Sequence, residues 1–290
     1  MIEKNKYFKN LKMKFLTISG KDRFTFLQGL ISNDLKKIEK KKLIYTSFLS
    51  PQGRFLFDFF ICEDTEMYLI ECDVKFIEEL KTKLMIYKLR SDVKINYYQE
   101  VNTFLINKSC AKVVQTIKKN FDLLTFEDPR PTTSLFRIYT KNTNFKKINE
   151  NLRFSEITKI EYEKSRIKNS IPDFSIDAAQ NKSLLLELRF DELNGIDWDK
   201  GCYMGQELTA RTKYRGKIRK KLYGIKSQNK ISGNEIKFDD KVIGVVTSFS
   251  DNSGIAIINT EIVEDKINHK QKKLLVKNTE IIPFIPKWAK

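Results

Sequence analysis

Apolar positions alternate from Met13 to Ser19, at Phe15, Leu16 and Ile18, and after Gly20 switch to helical spacing at Phe24, Leu27 and Ile31. This pattern predicts a strand, a turn and a helix. Two runs rich in aromatic and β-branched residues follow, Leu43 to Leu49 and Arg54 to Ile61, joined by Ser-Pro-Gln-Gly with Pro51 and Gly53 placed as in a tight turn. They read as a hairpin. A strand from Met67 to Cys72, a helix around Phe76, Leu80 and Leu84, and a strand from Val93 to Tyr97 complete a βαβββαβ order, a ferredoxin-like unit with one extra strand.

A second unit of similar pattern follows, with Val101–Ile106 extended, Ala111–Lys119 helical, Leu123–Phe126 and Leu135–Thr140 extended, and Phe145–Leu152 helical. Asp128-Pro-Arg-Pro131 reads as a stiff turn within it. Ser155–Lys168 reads as a helix with basic residues in its last turn, ended by Asn169, Ser170 and Pro172. From Ile218 the pattern changes to short β-like runs, Lys221–Lys226, Lys241–Ser248, Gly254–Asn259 and Lys273–Val276, separated by turn clusters such as Ser250 to Gly254. The expected architecture is therefore α+β. Residues 1–215 hold two ferredoxin-like units, about 1–98 and 99–180, and residues 216–290 form a small antiparallel β-barrel or sandwich.

Composition sets limits on function. Apolar residues make up 41% and charged residues 31% of the 290 positions, with 11 Gly and 6 Pro, which fits a folded chain and excludes a disordered or fibrous one. No apolar run approaches the roughly 18 residues of a membrane span, and the N-terminal stretch has charge without the apolar core of a signal peptide. The expectation is a soluble, cytosolic protein without a membrane partner. Lys plus Arg number 54 against 37 Asp plus Glu, a formal charge of +17. That excess raises a polyanionic partner, yet Lys-rich runs such as Lys36 to Lys42 lack interleaved aromatics that stack on bases. Lys, Asn and Ile are abundant together, as A/T-rich codons dictate, so nucleic-acid binding is expected to be absent or non-specific. The single histidine, His269, sits in a polar stretch, which excludes Ser-His-Asp and Cys-His catalysis and His-based metal sites. Cys62, Cys72, Cys110 and Cys202 lie far apart with no C-x-x-C pair, so no metal site is read from their spacing.

One segment concentrates the candidate chemistry, Asp199 to Arg211. Gly201 and Gly205 bracket Cys202, Lys200 lies two residues before it, and Gln206 and Glu207 open a short helix just after it. A thiol between a cation and a helix start is placed to form a reactive thiolate. Cys202 and Lys200 are thus the candidate reactive residues. Cys62 and Cys72 fall in predicted strands and Cys110 opens a predicted helix, positions where Cys serves as a small hydrophobe.

The run K-G-C-Y-x-G-Q-E-x-x-A-R at Lys200 to Arg211 resembles the signature of the YgfZ family of folate-binding proteins, in the superfamily of the glycine-cleavage aminomethyltransferase, or T-protein. Ser19 to Asp34 resembles the family's G-x-D-x-x-x-F-L-Q-G-x-x-x-x-D stretch, Leu49 to Arg54 its L-x-P-x-G-R turn, and Lys213 to Leu222 also fits. The resemblance implies a folate-binding cleft made by two ferredoxin-like units around a central hole, with the barrel alongside. It also implies a role in assembling or maintaining iron–sulfur clusters in client enzymes, including radical enzymes that modify tRNA. Tyr162 matches a position where relatives carry an aromatic residue beside the ligand, and Glu187 a carboxylate that pairs with the pterin of a tetrahydrofolate. Lys200 and Arg211 are placed to meet the folate's glutamate tail.

The chain departs from the T-protein pattern in two places. It reads Arg166-Ile-Lys-Asn-Ser-Ile-Pro172 where relatives read R-I-E-A-G-x-P, so Lys168 and Ser170 replace an acid and a glycine. The adjacent aspartates after the T-protein's Gly-Gly turn, one of them needed for one-carbon transfer, are reduced to Asp58, which reads as a polar edge residue. Three functions follow. One is a tetrahydrofolate-binding accessory protein for iron–sulfur clients, with Cys202 as its thiol and any transient cluster shared with a partner or second copy, because one cysteine cannot hold a cluster. The others are a folate-dependent aminomethyl or methyl transferase, and a basic RNA-binding protein.

Overall fold

The computed structural model describes residues 2–99, 101–118, 123–131, 134–269 and 273–289. Among these, the strands before the barrel are β1 (Lys6–Asn10), β2 (Met13–Ser19), β3 (Leu43–Leu49), β4 (Phe55–Asp64), β5 (Met67–Asp73), β6 (Lys94–Tyr97), β7 (Asn102–Asn107), β8 (Leu124–Glu127), β9 (Leu135–Thr140) and β10 (Ser155–Glu156). The helices are α1 (Arg23–Gln28), α2 (Ile38–Lys41), α3 (Ile77–Lys88), α4 (Ala111–Lys118), α5 (Asn142–Leu152), α6 (Lys159–Lys168), α7 (Phe174–Asp177) and α8 (Gln206–Arg215). The predicted helix over 111–119 ends in the description at Lys118, and residue 119 lies outside the described residues.

Strands β3-β4-β5-β2-β6 form one sheet and β10-β1-β7-β9-β8 a second, so the α+β architecture expected from the pattern is the one observed. The N-terminal strand departs from it. Tyr7, Phe8 and Lys9 pair antiparallel with Ile106, Leu105 and Phe104 of β7, so β1 completes the second sheet. Phe8 is the buried residue of this strand, packing with Ile2, Leu105, Leu135 and Ile157, while Tyr7 packs half-buried against Phe104 and Phe145, and two adjacent aromatics among Lys and Asn leave no alternation to read. Along β7 and β9 the two-residue period sends Phe104, Ile106, Phe136 and Ile138 to one face, against Val114 of α4 and Phe145 and Ile148 of α5. Thr103, Arg137 and Tyr139 take the opposite face and are buried as well.

The C-terminal strands β11 (Lys220–Lys226), β12 (Glu235–Phe238), β13 (Lys241–Ser250), β14 (Ser253–Asn259), β15 (Leu274–Val276) and β16 (Thr279–Phe284) close into an antiparallel barrel in the order β11-β14-β13-β12-β15-β16. Ile225, Ile236, Val246, Ala256, Ile258, Leu274, Val276 and Ile281 fill it, with Val263 of α9 (Thr260–His269) among them. Strands β12 and β16 escape the sequence pattern because each buries a single Ile or an Ile-Pro pair among Glu, Lys and Thr.

Packing divides the chain into two compact units that do not meet at one boundary near residue 216. The first holds Met1–Phe48, Phe57–Tyr162 and Asn194–Met204, the second Leu49–Leu56, Glu163–Leu193 and Gly205–Lys290. Hydrogen bonds show why the second unit gathers distant segments. Phe55 N donates to Ser183 O and Asn181 N to Phe55 O, while Leu222 N donates to Glu187 O. Within it Arg166, 3% exposed, donates to Glu163, Asp177, Ser248 and the Ile171 carbonyl, pinning α6 to β13.

The two substitutions beside Arg166 differ in consequence. Lys168 is exposed, so its charge meets solvent. Ser170 is fully buried with φ +53°, and its hydroxyl has no hydrogen-bond partner among the described residues. A left-handed non-glycine residue costs roughly 1 to 2 kcal/mol, partly offset in a Ser170→Gly variant by the greater freedom of an unfolded glycine. Ser170→Gly is therefore expected to stabilise the protein by about 1 kcal/mol in denaturant unfolding.

Candidate functional site

The segment carrying Cys202 is anchored on both of its sides, each within a different unit. In the first unit, Lys200 is only 8% exposed, and its ammonium donates to Gln28 O at 2.8 Å, Ile31 O at 2.7 Å and Asn33 O at 2.9 Å. Three donors meet three convergent acceptors, which fastens the segment to the turn after α1. Burial pushes the Lys200 ammonium down to about 8, against the opposing charges of Asp34 and Asp197. Asp197 receives Lys200 N and Asp199 N and pairs with Lys37 at 2.6 Å. Burial would raise its carboxyl, but these partners hold it below the ordinary value. Met204 N reaches Gly29 O, and Ser32 donates to Gly195 O. The FLQG stretch and the Lys200–Met204 part of the signature are thus one hydrogen-bonded assembly.

The second anchor involves two glycines. Gly53 N bonds Ser50 O to close the Ser50–Gly53 turn, and Gly53 sits at φ +77°. Gly205, at φ +78°, lies against it and caps α8. A Cβ on Gly205 would come within 2.5 Å of Ser50 O, and one on Gly53 within 2.7 Å of Gly205 O. Both positions therefore require glycine for conformation and for space. Among the described residues no atom stands within 4 Å of where a Cβ on Gly201 would lie, so this position is open in space.

Between these anchors in sequence stands Cys202, the exposed thiol among four free cysteines. Cys62, Cys72 and Cys110 are buried, as their strand and helix settings implied, and burial drives the thiols of Cys62 and Cys72 far up. Lys200 departs from expectation. Its charge is directed at the 28–33 turn, because all three of its protons are held by carbonyls, so it is not free for a folate tail.

The other candidates are divided between units. Tyr162, in the first, stacks on Phe8 with ring centroids 4.2 Å apart and planes 8° from parallel. Glu187, in the second, is half-buried; its Oε2 accepts Leu184 N at 3.2 Å and its Oε1 has no partner among the described residues. Arg211 lies on an exposed face of α8, paired with Glu207 at 2.8 Å across one turn, a surface contact of little energetic weight.

A polar cluster that the sequence pattern missed joins the two sheets of the first unit. Glu71 accepts Arg137 Nη1 at 2.6 Å, Tyr139 OH at 2.7 Å and the Thr103 hydroxyl. Asp128 accepts Arg130 Nε and Nη2 and Arg137 Nε at 2.9–3.0 Å. Phe60 lies under the Arg137 guanidinium, 3.7 Å from ring centre to Cζ. Burial opposes the charge of Asp128, yet Arg130 and Arg137 hold its carboxyl at about 2. Nearby, Tyr45 donates to Asp58 Oδ2 at 2.7 Å. Strand β4 lies between β3 and β5, so Asp58 is on an internal strand and is not the edge residue expected. Among the described residues, no three His, Cys, Asp or Glu side chains gather as a metal site, and no helix is long and apolar enough to cross a membrane.

An antiparallel sheet, a second sheet with one parallel pair between β1 and β10, and a closed barrel make up the fold. The structure matches the glycine cleavage system aminomethyltransferase T from Bartonella henselae with a TM-score of 0.77, covering 98% of this chain and 86% of that one at 12% identity. Residues 219–290 match the family model of the CAF17 C-terminal beta-barrel domain. In sequence the chain is similar to iron–sulfur cluster assembly factors. It is 31% identical to the mitochondrial IBA57 homolog of Mycosarcoma maydis over 71% of this chain and 53% of that protein. It is 25% identical to mitochondrial IBA57 of Mus musculus over 92% of this chain and 81% of that protein, and 28% identical to that of Homo sapiens over 73% and 63%. The chain spans about half the length of its fungal relatives. All of these relatives are named as mitochondrial, which overturns the cytosolic expectation.

Proposed function

We propose that the protein is a tetrahydrofolate-binding accessory factor of the YgfZ type that assists iron–sulfur cluster assembly in client enzymes, including tRNA-modifying radical enzymes, with Cys202 as its working thiol. The observation that carries this reading is the contrast among the cysteines. Three are buried, while Cys202 is exposed in a segment held at both sides by Lys200 and by the Gly53–Gly205 contact. A thiolate is an iron ligand, and one thiolate leaves the remaining cluster ligands to a partner, a second copy or a small thiol. The names of the relatives support the same cargo.

For the folate, the fit is partial. Glu187 keeps a free carboxylate oxygen suited to the donors of an amino-pyrimidine edge, and Tyr162 offers an aromatic surface, but Lys200 has no proton to give a glutamate tail. Glu187→Ala is expected to weaken folate binding by about 1 to 3 kcal/mol, tenfold or more, in calorimetry. Unchanged affinity removes Glu187 from the site. The functional test pairs folate titration of Cys202→Ala with iron–sulfur enzyme activity in cells carrying that variant. Binding retained with enzyme activity lost supports the proposal, whereas full activity rejects it.

A further inference from the structure

Arg189 is costly to place on two counts. Its charge is buried, with 2% of the residue exposed, and its backbone lies in the left-handed region at φ +56°, which a residue with a Cβ adopts only under strain. Its structural partners use only part of the guanidinium. Nε donates to Leu222 O at 2.7 Å, and Nη1 alone takes both Glu192 oxygens, at 2.8 and 3.0 Å. An arginine that serves only to pair with a carboxylate presents two nitrogens to the two oxygens. Here Nη2 is spared, and it makes no hydrogen bond to a described residue.

Arg189 lies on the wall of a cleft of about 500 Å³ contained within the second unit. Tyr223, 3% exposed, stands on the same wall with its ring centre 5.3 Å from Arg189 Cζ. Burial raises the Tyr223 phenol and the guanidinium opposes the rise, so the hydroxyl keeps its proton at neutral pH and can donate a hydrogen bond. Lys213, Lys217 and Lys221 also line the cleft, so among the described residues the lining holds four cations against two carboxylates, Asp191 and Glu264. Lys217 is held by Glu261 at 2.7 Å, whereas Lys221 Nζ stands 3.8 Å from Glu192 Oε1, beyond hydrogen-bond length. Leu186, Ile218 and Ile285 give the cleft an apolar side.

We propose that this cleft binds a small molecule ending in an oxyanion, a phosphate or a carboxylate, with Arg189 Nη2, the Tyr223 hydroxyl and Lys221 on the oxyanion and an apolar body against Leu186, Ile218 and Ile285. A few buried donors in an otherwise apolar cleft are what hold and orient such a group. A nucleic-acid strand fits less well, because a row of phosphates would also meet the carboxylates of Asp191 and Glu264. Neither Cys202 nor Glu187 lines the cleft, so this site is separate from the one proposed above.

The probes are phenyl phosphate and benzoate, titrated into the full chain by calorimetry beside inorganic phosphate, acetate and, as a cationic control, benzylammonium. An aromatic anion is expected to bind roughly tenfold or more tighter than its ring-less counterpart, because the ring adds apolar contact. The tighter of phenyl phosphate and benzoate names the source of the oxyanion. Tyr223→Phe should weaken that binding about fivefold or more by removing one hydrogen bond to a charged group, and Lys221→Gln should act in the same direction. Tyr223→Phe leaves the net charge of +17 unaltered, so its effect separates the cleft from diffuse attraction to a basic surface. Both variants keep the Arg189 contacts to Leu222 and Glu192, and their thermal unfolding should match the wild type. Absence of saturable binding by either aromatic anion overturns the proposal. So does equal binding of benzylammonium, or an affinity that Tyr223→Phe leaves unchanged.

Discussion

Arg137→Met is expected to lower the free energy of unfolding by roughly 3 to 5 kcal/mol, because it strips a charged partner from two buried carboxylates at once. Glu71 would keep only the hydroxyls of Thr103 and Tyr139, and Asp128 only Arg130. Adding Glu71→Gln should recover part of the loss, since the amide is neutral and its oxygen still accepts a hydroxyl. Equilibrium denaturation of the single and double variants measures this coupling. A cost under about 1 kcal/mol for Arg137→Met would mean that water reaches the cluster. The same cluster predicts an acid limb. Asp128 has a folded value of about 2 against an ordinary 3.8, so its contribution is fully present above the ordinary value and is lost as pH falls through about 2.

Lys200→Met is expected to cost about 2 to 4 kcal/mol, since three carbonyls that converge on the ammonium lose their donor and each buried unpaired group is expensive. The relief of a desolvated charge offsets part of that sum. Lys200→Arg should rescue poorly, because a planar fork cannot aim three donors at one convergent set. The variants separate two roles for this segment. Lys200→Met should lower stability and function together, while Cys202→Ser should leave stability within about 0.5 kcal/mol, as expected for an exposed side chain. A Lys200→Met protein of normal stability but no function would return Lys200 to the reacting chemistry.

Much of this fold is written in local pattern. The period-two runs of β2 to β5 and the Pro51 and Gly53 turn act over a few residues. The helix read from Ser155, by contrast, starts only at Lys159, because Ser155–Glu156 pairs with Lys6 and Tyr7 as β10 and Thr158 and Glu161 cap the helix after it. The pairing of β1 with β7 is not local, and the adjacent Tyr7 and Phe8 give no periodic signal for it. The glycines of the signature were legible as a tight backbone, but only Gly205 proves to be required, because the demand comes from Ser50 and Gly53, some 150 residues earlier in the chain. Charge at Lys200 was legible and its direction was not, since its acceptors are backbone carbonyls that carry no side-chain identity. The Glu71–Arg137–Asp128 cluster left one signal, charged residues inside otherwise apolar strands, which a reading based on apolar alternation passes over.

We propose that Cys202 handles iron–sulfur cargo from a segment held by Lys200 and by the Gly53–Gly205 contact. The most direct test is anaerobic incubation of wild-type and Cys202→Ser protein with ferric iron, sulfide and a small thiol, followed by transfer to an apo iron–sulfur protein read from its visible absorption. Wild-type protein should take up and pass on cluster, and Cys202→Ser should retain its fold and lose the transfer. Equal transfer by the two proteins would contradict the claim.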